Sequence, residues 1–204
     1  MSRGKFLTLE GIDGAGKSTH LGAIGDLLRS RGKDVVVTRE PGGTPLGEKL
    51  RAVVLSQAMS IDTETLIMFA ARREHIFQVI EPALERGRWV VSDRFTDATY
   101  AYQGAGGGMT ADRIAALERW VNDGLKPDLT LVFDVPVELA LARLPRDRRD
   151  RFEAESRGYF ERVRAAYLAR AAAEPRRMRV IDAKGSVSQV KKEVEDIVSS
   201  FCQT

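Results

Sequence analysis

Short runs of apolar residues alternate with longer segments of helical periodicity along this chain. Each short run is rich in Val, Ile, Leu or Phe and ends in a polar residue. Strands that alternate with helices are typical of a parallel sheet covered by helices. We predict an α/β fold, a five-stranded parallel sheet flanked by helices on both faces, with strands at Phe6–Glu10, Val35–Arg39, Trp89–Asp93, Leu129–Asp134 and Met178–Asp182.

Helical patterns fill the intervals between these strands. We predict helices at 17–30, 62–85, 111–121, 137–143 and 152–173, and a last helix that opens at Ser186, whose spacing to Gln189 matches a capping box. Gly32 stands where a C-terminal glycine cap is expected, and the glycine-rich stretch 104–108 predicts a flexible loop. No linker or repeat divides the chain, so we expect a single domain over residues 1–204.

Composition narrows the class of protein. Of the 204 residues, 43% are hydrophobic and 30% are charged, which is typical of a globular domain. The single cysteine, Cys202, cannot form an internal disulfide bond. The sequence shows neither a signal peptide nor a long apolar segment, so we expect a cytoplasmic protein with no membrane partner. The net charge of +3 over 204 residues produces only a weak electrostatic field, so it gives no support for a nucleic-acid partner.

The strongest chemical signal lies between the first strand and the first helix. Residues 11–18 fit the phosphate-loop (P-loop) pattern G-x-x-x-x-G-K-[ST]. Glycines let successive backbone N–H groups face a phosphate, and the helix N-terminus adds positive potential. Lys17 is expected to reach the β- and γ-phosphates. We predict that ATP binds at Gly11, Ile12, Asp13, Gly14, Ala15, Gly16, Lys17, Ser18 and Thr19.

A magnesium site is expected beside this loop. The Ser18 hydroxyl is the Mg²⁺ ligand of the pattern, and Asp93 ends an apolar strand where such a site needs a carboxylate. His20 and His75 fit neither a catalytic triad nor a metal-ligand spacing, so we expect packing or surface positions for both.

Four sequence blocks, in order, point to one family. They lie at residues 9–19, 38–44, 92–95 with 101–104, and 150–153, and together they resemble the blocks of the thymidylate kinase family. Many families share the phosphate loop, but the combination is specific. The resemblance implies the P-loop nucleotide kinase fold, Mg²⁺-dependent transfer of the γ-phosphoryl group from ATP to dTMP, and a homodimer.

The helix predicted at 62–85 carries candidate ligands for the acceptor base. Phe69 and Arg73 are four residues apart and share a helix face, where a ring beside a guanidinium can stack on a base and donate to its edge. The residues alone leave open that Phe69 is a core residue and that Arg73 lies in solvent. The resemblance implies that both clamp thymine.

Charged residues at the strand ends are candidates for the acceptor phosphate. In an extended strand end the side chains of Asp93 and Arg94 diverge, so that one can face the metal and the other the phosphate. The residues alone also leave open that Arg94 forms a surface salt bridge instead. Asp13 resembles the family carboxylate near the sugar and the metal, and Arg39 is expected to meet phosphate.

A helix after Arg94 is expected to carry more of the acceptor site. Thr99 and Gln103 are four residues apart and can face one base edge. The resemblance implies that they line the thymine pocket and that Tyr102 packs near the sugar, where it disfavours a ribose 2′-hydroxyl. Ala98 stands in a stretch where the family often has Ser, which puts one polar contact in doubt.

A basic run separates the helices predicted at 137–143 and 152–173. Nucleotide kinases carry a mobile lid at this place, which excludes water and delivers positive charge. We expect a lid at about 144–152. Gly14 stands where some thymidylate kinases have an arginine, so Arg149 and Arg151 join Lys17, Arg94 and Asp13 as catalytic candidates. Most charge runs are solvated, and that interpretation stays open.

Three other functions compete. A kinase for another acceptor has the same loop but lacks the blocks around Phe69 and Tyr102. A GTPase has an N/T-K-x-D motif for guanine, which this sequence does not contain. An ATP-dependent module acting on nucleic acid needs arginines spread along a groove, whereas here they cluster in one short segment.

Overall fold

A single parallel sheet organises the chain. The computed structural model describes residues 3–144 and 157–203. Its strands are β1 (Phe6–Glu10), β2 (Val35–Arg39), β3 (Trp89–Asp93), β4 (Leu129–Asp134) and β5 (Met178–Asp182), in the spatial order β2-β3-β1-β4-β5. The strands predicted from the sequence are confirmed with the same bounds, and the predicted fold class is confirmed as well.

The strand register brings the polar strand ends to one edge of the sheet. Asp93 of β3 lies opposite Arg39 of β2 and Leu9 of β1. Beyond β1 in the strand order, Asp134 of β4 lies opposite Asp182 of β5. Ligands of open α/β sheets bind at this carboxyl edge, so the register places the candidate site there.

Helices connect the strands. They are α1 (Lys17–Ser30), α2 (Pro45–Ser56), α3 (Ile61–His75), the π-helical segment Ile76–Ile80, α4 (Glu81–Glu85), α5 (Thr96–Thr99), the π-helical segment Tyr100–Gly106, α6 (Ala111–Asn122), α7 (Val137–Arg143), α8 (Arg157–Ala173) and α9 (Val187–Phe201). Gly32 follows α1 with a φ of 76°, and Ser186 with Gln189 forms the predicted capping box of α9. Both predictions are confirmed.

The sequence prediction missed α2, although its start carries a signal. Thr44 caps the helix by accepting a hydrogen bond from the Gly47 backbone, and Pro45 occupies the first turn. The predicted helix at 62–85 is a continuous series of α3, a π-helical segment and α4. Within the predicted helix at 152–173, α8 accounts for the described part. The predicted lid, apart from Leu144, and residues 152–156 lie outside the described residues.

The predicted flexible loop at 104–108 is wrong in its first part, because Gly104 and Gly106 belong to a π-helical segment. A Cβ atom on Gly106 would lie 2.5 Å from the ring of Tyr159 on α8. A Cβ atom on Gly104 would lie 3.2 Å from Ile114 on α6. These glycines therefore serve close helix packing.

Two apolar clusters cover the two faces of the sheet. Successive residues of β1 point to opposite faces, so that Phe6 joins one cluster and Leu7 the other. The cluster of Leu7 packs the phosphate-loop segment through Ile12, and the cluster of Phe6 packs α3 through Phe69. Across residues 3–144 and 157–203, no helix has the length and apolar character needed to cross a bilayer.

Candidate active site

The loop between β1 and α1 has the shape that the phosphate-loop pattern predicts. Gly11, Gly14 and Gly16 adopt φ angles of 134°, 78° and 95°, which favour glycine. A Cβ atom would lie 2.5 Å from the Phe133 carbonyl oxygen at Gly11 and 2.2 Å from the Ala140 carbonyl oxygen at Gly14. Both glycines are therefore required by close backbone contacts as well as by conformation.

Lys17 begins α1 and turns its ammonium back over the loop. Its Nζ donates to the carbonyl oxygens of Gly11 at 3.0 Å and Ile12 at 2.9 Å. Burial, and after it the positive charge of Arg94, lowers the pKa of Lys17 to about 8. The ammonium is thus held at the mouth of the loop, at a cost in solvation that an anion would offset.

An open cavity of about 680 Å³ lies above this loop at the carboxyl edge of the sheet. Glu40, Arg51 and Arg143 also line it, and none of them was predicted from the sequence. Glu40 directly follows β2 and Arg143 ends α7, which gave only a weak signal, and Arg51 lies within α2, the helix that the sequence prediction missed. The predicted residues that the cavity brings together are Asp13, Gly14, Ala15, Gly16, Lys17, Ser18, Thr19, Arg39, Asp93 and Arg94.

Asp93 and Ser18 both line this cavity, and both carry side-chain oxygen atoms. Oδ1 of Asp93 is buried and has no hydrogen-bond partner among the described residues, whereas Ser18 is exposed. No group of three His, Cys, Asp or Glu residues in the described chain could hold a metal by itself. Mg²⁺ is usually bound by one or two protein oxygens together with substrate phosphates and water, so this donor set fits that ion.

Arg94 follows β3 in a left-handed conformation with a φ of 71°, so the extended strand end assumed from the sequence is wrong. The turn aims the guanidinium at the phosphate loop. Nη1 donates to the Gly11 carbonyl oxygen at 2.9 Å and to the Tyr167 hydroxyl at 3.0 Å. Nη2 donates to Asp13 at 2.5 Å and to the Tyr102 hydroxyl at 2.9 Å. The salt bridge with Asp13 lies inside the site, with Arg94 13% exposed.

The guanidinium that lies over the Phe69 ring belongs to Arg72, at 4.8 Å from the ring centroid. Arg73 donates to the Val121 carbonyl oxygen at 3.4 Å. The pairing of Phe69 with Arg73 predicted from the sequence is therefore corrected to Phe69 with Arg72. Phe69 is 1% exposed, which supports the core interpretation that the sequence had left open.

Arg72 joins three elements in a buried network. Its Nε donates to Glu40 at 2.8 Å, and its Nη2 donates to Thr99 at 3.1 Å. Its Nη1 is buried and has no partner among the described residues. Burial alone would raise the pKa of Glu40, but Arg72 and the hydrogen bond to His75 lower it overall. His75 also bonds to Thr38 at 2.7 Å, so its expected packing position is confirmed.

Gln103 lies one turn beyond Thr99 and is 5% exposed. Its Nε2 donates to Glu64 at 2.7 Å, whereas its Oε1 is buried without a partner in the described chain. Thr99 and Gln103 do not line the large cavity, and neither does Tyr102, which reaches it through Arg94. Glu64 was missed because a glutamate in a first helical turn reads as a surface residue.

Glu10 places a buried carboxyl group at the end of β1. Its Oε1 accepts from the Phe95 backbone at 2.7 Å, and its Oε2 accepts from the Tyr167 hydroxyl at 2.8 Å. Burial, with the nearby charge of Asp97, raises the pKa of Glu10 to about 8. Tyr167 was not predicted, because nothing in the sequence links a tyrosine in the middle of α8 to Arg94.

The remaining predicted residues take peripheral positions. Arg39 pairs with Glu48 at 2.8 Å and is 54% exposed at the cavity. His20 is buried and stacks on Phe133 with ring centroids 5.5 Å apart, as its expected packing position requires. The two catalytic candidates of the basic run, Arg149 and Arg151, lie outside the described residues.

Comparisons with known proteins agree on one family. The family model described as thymidylate kinase matches residues 9–194. The chain is similar to the thymidylate kinase of Cupriavidus pinatubonensis, with 63% identity over 98% of this chain and 100% of the relative. It is also similar to the thymidylate kinase of Bordetella petrii, with 62% identity over 95% of this chain and 94% of the relative.

A solved structure gives the same result at the level of the fold. The crystal structure of thymidylate kinase from Ehrlichia chaffeensis superposes with a TM-score of 0.80 and 34% identity, over 96% of this chain and 99% of that one. The family model and the relatives together cover nearly the whole sequence. This chain belongs to the thymidylate kinase family.

Proposed function

We propose that this chain transfers the γ-phosphoryl group of ATP to the phosphate of dTMP, which gives ADP and dTDP. The observation that carries this proposal is the meeting of two cations at one atom. Lys17 from the phosphate loop and Arg94 from the end of β3 both donate to the Gly11 carbonyl oxygen, at 3.0 and 2.9 Å. A phosphate held by each cation would bring donor and acceptor together at this point.

The chemistry asks little of the protein beyond positioning and charge. The phosphate of dTMP is largely ionised near neutral pH, because its second pKa is about 6, so no general base is needed. One of its oxygens attacks the γ-phosphorus, and the bond from that phosphorus to the bridging oxygen of ADP breaks. The two reactants repel each other, and Lys17 and Arg94 offset that repulsion.

On the donor side, backbone N–H groups of residues 11–19 and the Lys17 ammonium bind the ATP phosphates. We assign Ser18 and Asp93 to hold Mg²⁺. The assignment is supported by the position of both residues at the cavity and by the unpaired Oδ1 of Asp93. Bound Mg²⁺ neutralises charge on the phosphates and orients them.

On the acceptor side, we assign the base edge to Arg72 and Gln103. Thymine presents carbonyl oxygens on both sides of an N3–H group. Arg72 offers a buried, unpaired donor in Nη1, and Gln103 offers a buried, unpaired acceptor in Oε1. Unpaired buried polar groups are costly, so a ligand that satisfies both would bind favourably. Arg72 thus takes the role that the sequence gave to Arg73, and Phe69 supports its guanidinium from below.

The remaining acceptor contacts concern the sugar and the phosphate. We assign Tyr102 to the deoxyribose, which is supported by its hydrogen bond to Arg94 at 2.9 Å. Arg94, Asp13 and Arg39 line the cavity and surround the acceptor phosphate in this proposal. Thr99 completes the base site indirectly, since its hydroxyl accepts from Arg72.

We retain a single domain with a lid at about residues 144–152 as part of the proposal. Arg143 and Leu144, which lead into that segment, line the cavity. A lid that starts there would reach the transferring phosphoryl group with Arg149 or Arg151. An arginine in this role accelerates the transfer up to roughly 10³–10⁵-fold.

We propose a homodimer in the cytoplasm. Three large apolar side chains are exposed on α3, on the π-helical segment that follows it, and on α6. They are Leu66 (56% exposed), Phe77 (62%) and Trp120 (79%), and α3 packs on α6. Large exposed apolar side chains on neighbouring helices favour self-association. The single cysteine leaves the fold independent of an oxidising compartment.

The test is ADP release with dTMP, dUMP, UMP and AMP as competing acceptors. We expect dTMP to have the highest kcat/KM and UMP to be rejected through its ribose hydroxyl. A higher kcat/KM for UMP or AMP would contradict the acceptor assignment. Equal ADP release without any acceptor would contradict phosphoryl transfer itself.

A further inference from the structure

The hydroxyl of Tyr167 joins helix α8 to the acceptor arginine. It donates to Oε2 of Glu10 at 2.8 Å and accepts from Nη1 of Arg94 at 3.0 Å. The side chain is 1% exposed, and its ring packs edge-on against Tyr102 with centroids 6.3 Å apart. A buried hydroxyl with both a donor and an acceptor partner is fixed in one orientation, and it fixes its partners in turn.

Arg94 needs such support because its backbone and side chain are constrained together. Its φ of 71° is uncommon for a bulky residue and persists only where surrounding contacts impose it. The other hydrogen-bond partners of Arg94 also have a role of their own in the proposed reaction. Asp13 and Tyr102 serve the acceptor, and the Gly11 carbonyl oxygen is shared with Lys17. Tyr167 has no such role toward either substrate.

Glu10, the last residue of β1, links the Tyr167 hydroxyl to the sheet. One carboxylate oxygen accepts from the backbone N–H of Phe95, the residue directly after Arg94, at 2.7 Å. The other accepts from Tyr167, which binds the Arg94 side chain. A single buried carboxyl group of β1 therefore contacts both the main chain directly after Arg94 and, through Tyr167, the Arg94 guanidinium.

We propose that Tyr167 is a positioning residue for phosphoryl transfer, whose hydroxyl holds the Arg94 guanidinium toward the acceptor phosphate. This inference rests on the proposed function, in which Arg94 binds that phosphate. Tyr167 itself touches neither substrate and acts through Arg94. Its loss is expected to impair turnover more than ATP binding.

The experiment compares kcat and both KM values for the wild type, Tyr167→Phe, Arg94→Ala, the double variant and Tyr100→Phe. Tyr100 is a matched control outside the proposed site, because its hydroxyl also donates to a glutamate, Glu118, at 2.6 Å. Tyr167→Phe should lower kcat about tenfold, the effect of one hydrogen bond to a charged group. The KM for ATP should stay within about twofold, and Tyr100→Phe should leave kcat within about twofold.

The double variant separates positioning from general stability. In the Arg94→Ala background, Tyr167→Phe should lower kcat by less than about twofold, since no guanidinium is left to position. The same loss in both backgrounds, or an equal loss in Tyr100→Phe, would overturn the proposal. A normal kcat for Tyr167→Phe beside an impaired Arg94→Ala overturns it too, and leaves the proposed function standing. Normal turnover of Arg94→Ala would instead overturn the proposed role of Arg94 and this inference with it.

Thermal melting of every variant accompanies the kinetics. Tyr167→Phe removes one oxygen atom and keeps the ring in the core. If that variant fails to fold, Glu10→Gln tests the same support from its other end. It keeps the side-chain volume but can place an amide NH₂ group where a carboxyl oxygen accepts from the Tyr167 hydroxyl. We expect about the same tenfold loss of kcat, again absent in the Arg94→Ala background.

Discussion

The donor and acceptor halves of the site are built in different ways. The donor half is contiguous backbone, residues 11–19, whose shape depends on glycines at positive φ. The acceptor half is a network of side chains from distant elements, in which Arg72 of α3 contacts Glu40 after β2 and Thr99 of α5. The first half depends on local conformation, and the second depends on tertiary packing.

This difference decides how each half responds to substitution. Backbone donors cannot be removed by changing a side chain, so the donor half is sensitive at its lysine and wherever a Cβ atom has no room. In the acceptor half, truncating one member leaves its buried partners unpaired, which costs both binding and stability. The two halves meet at the Gly11 carbonyl oxygen, where Lys17 and Arg94 both donate.

Lys17→Ala should have the largest effect and tests the donor half. We expect kcat to fall roughly 10³-fold or more, because the transferring group loses its nearest ammonium. The measurement is ADP release at saturating dTMP. Lys33→Ala is the control, since Lys33 lies over the Trp89 ring at 5.3 Å, and its kcat should stay within about twofold. Near-normal turnover of Lys17→Ala would show that the loop does not hold ATP.

Gly14→Ala tests whether backbone shape defines the donor half. Gly14 and Gly32 have nearly equal φ angles, 78° and 76°, so alanine strains the backbone similarly at both. A Cβ atom meets the Ala140 carbonyl oxygen at 2.2 Å only at Gly14, and at Gly32 it meets nothing within 4 Å. Urea denaturation should show a loss of about 1 kcal/mol for Gly32→Ala and about 3 kcal/mol for Gly14→Ala. Equal losses of unfolding free energy in the two variants would mean that the loop can shift to accommodate a Cβ atom at Gly14.

Arg72→Lys and Arg73→Lys form a matched pair that tests the acceptor half. Lysine keeps the charge beside Glu40 but lacks the planar fork that contacts Thr99, so the fold is retained and the base contact is lost. We expect Arg72→Lys to raise the KM for dTMP roughly 30-fold at an unchanged KM for ATP. Arg73→Lys should change both by less than about twofold. The reverse ranking would restore Arg73 as the base ligand.

The sequence could identify the donor half but not the side-chain hydrogen bonds of the acceptor half. The phosphate loop is a local motif, and the strands came out with the same bounds because each is a compact apolar run with a polar end. Helical periodicity could not choose between Arg72 and Arg73, since a four-residue spacing and a three-residue spacing from Phe69 share one face. The left-handed turn at Arg94 and its contact with Tyr167 across 73 residues depend on packing, which no local pattern encodes.

The pH dependence of ATP binding has the smallest expected effect and separates the two halves most directly. Burial and the charge of Arg94 lower the pKa of Lys17 to about 8. The ammonium binds phosphate and the neutral amine does not, so the Kd for ATP should rise about tenfold between about pH 7 and about pH 9. The Kd for dTMP should change by less than about threefold, because the acceptor arginines do not titrate in this range. Glu10, whose pKa is also about 8, reaches Arg94 only through the Tyr167 hydroxyl.

The same titration predicts an opposite trend in stability. Between about pH 8 and about pH 10.4 the unfolded chain holds a proton that the folded Lys17 has released. The contribution of Lys17 to the free energy of unfolding therefore rises with pH in that window, while ATP affinity falls. Lys17→Arg should abolish both trends, because a guanidinium stays charged throughout. Calorimetric Kd values and urea midpoints across that window, for both proteins, would measure the pair of slopes. Parallel slopes for ATP and dTMP would mean that the two halves share one titrating group and that the division between them fails.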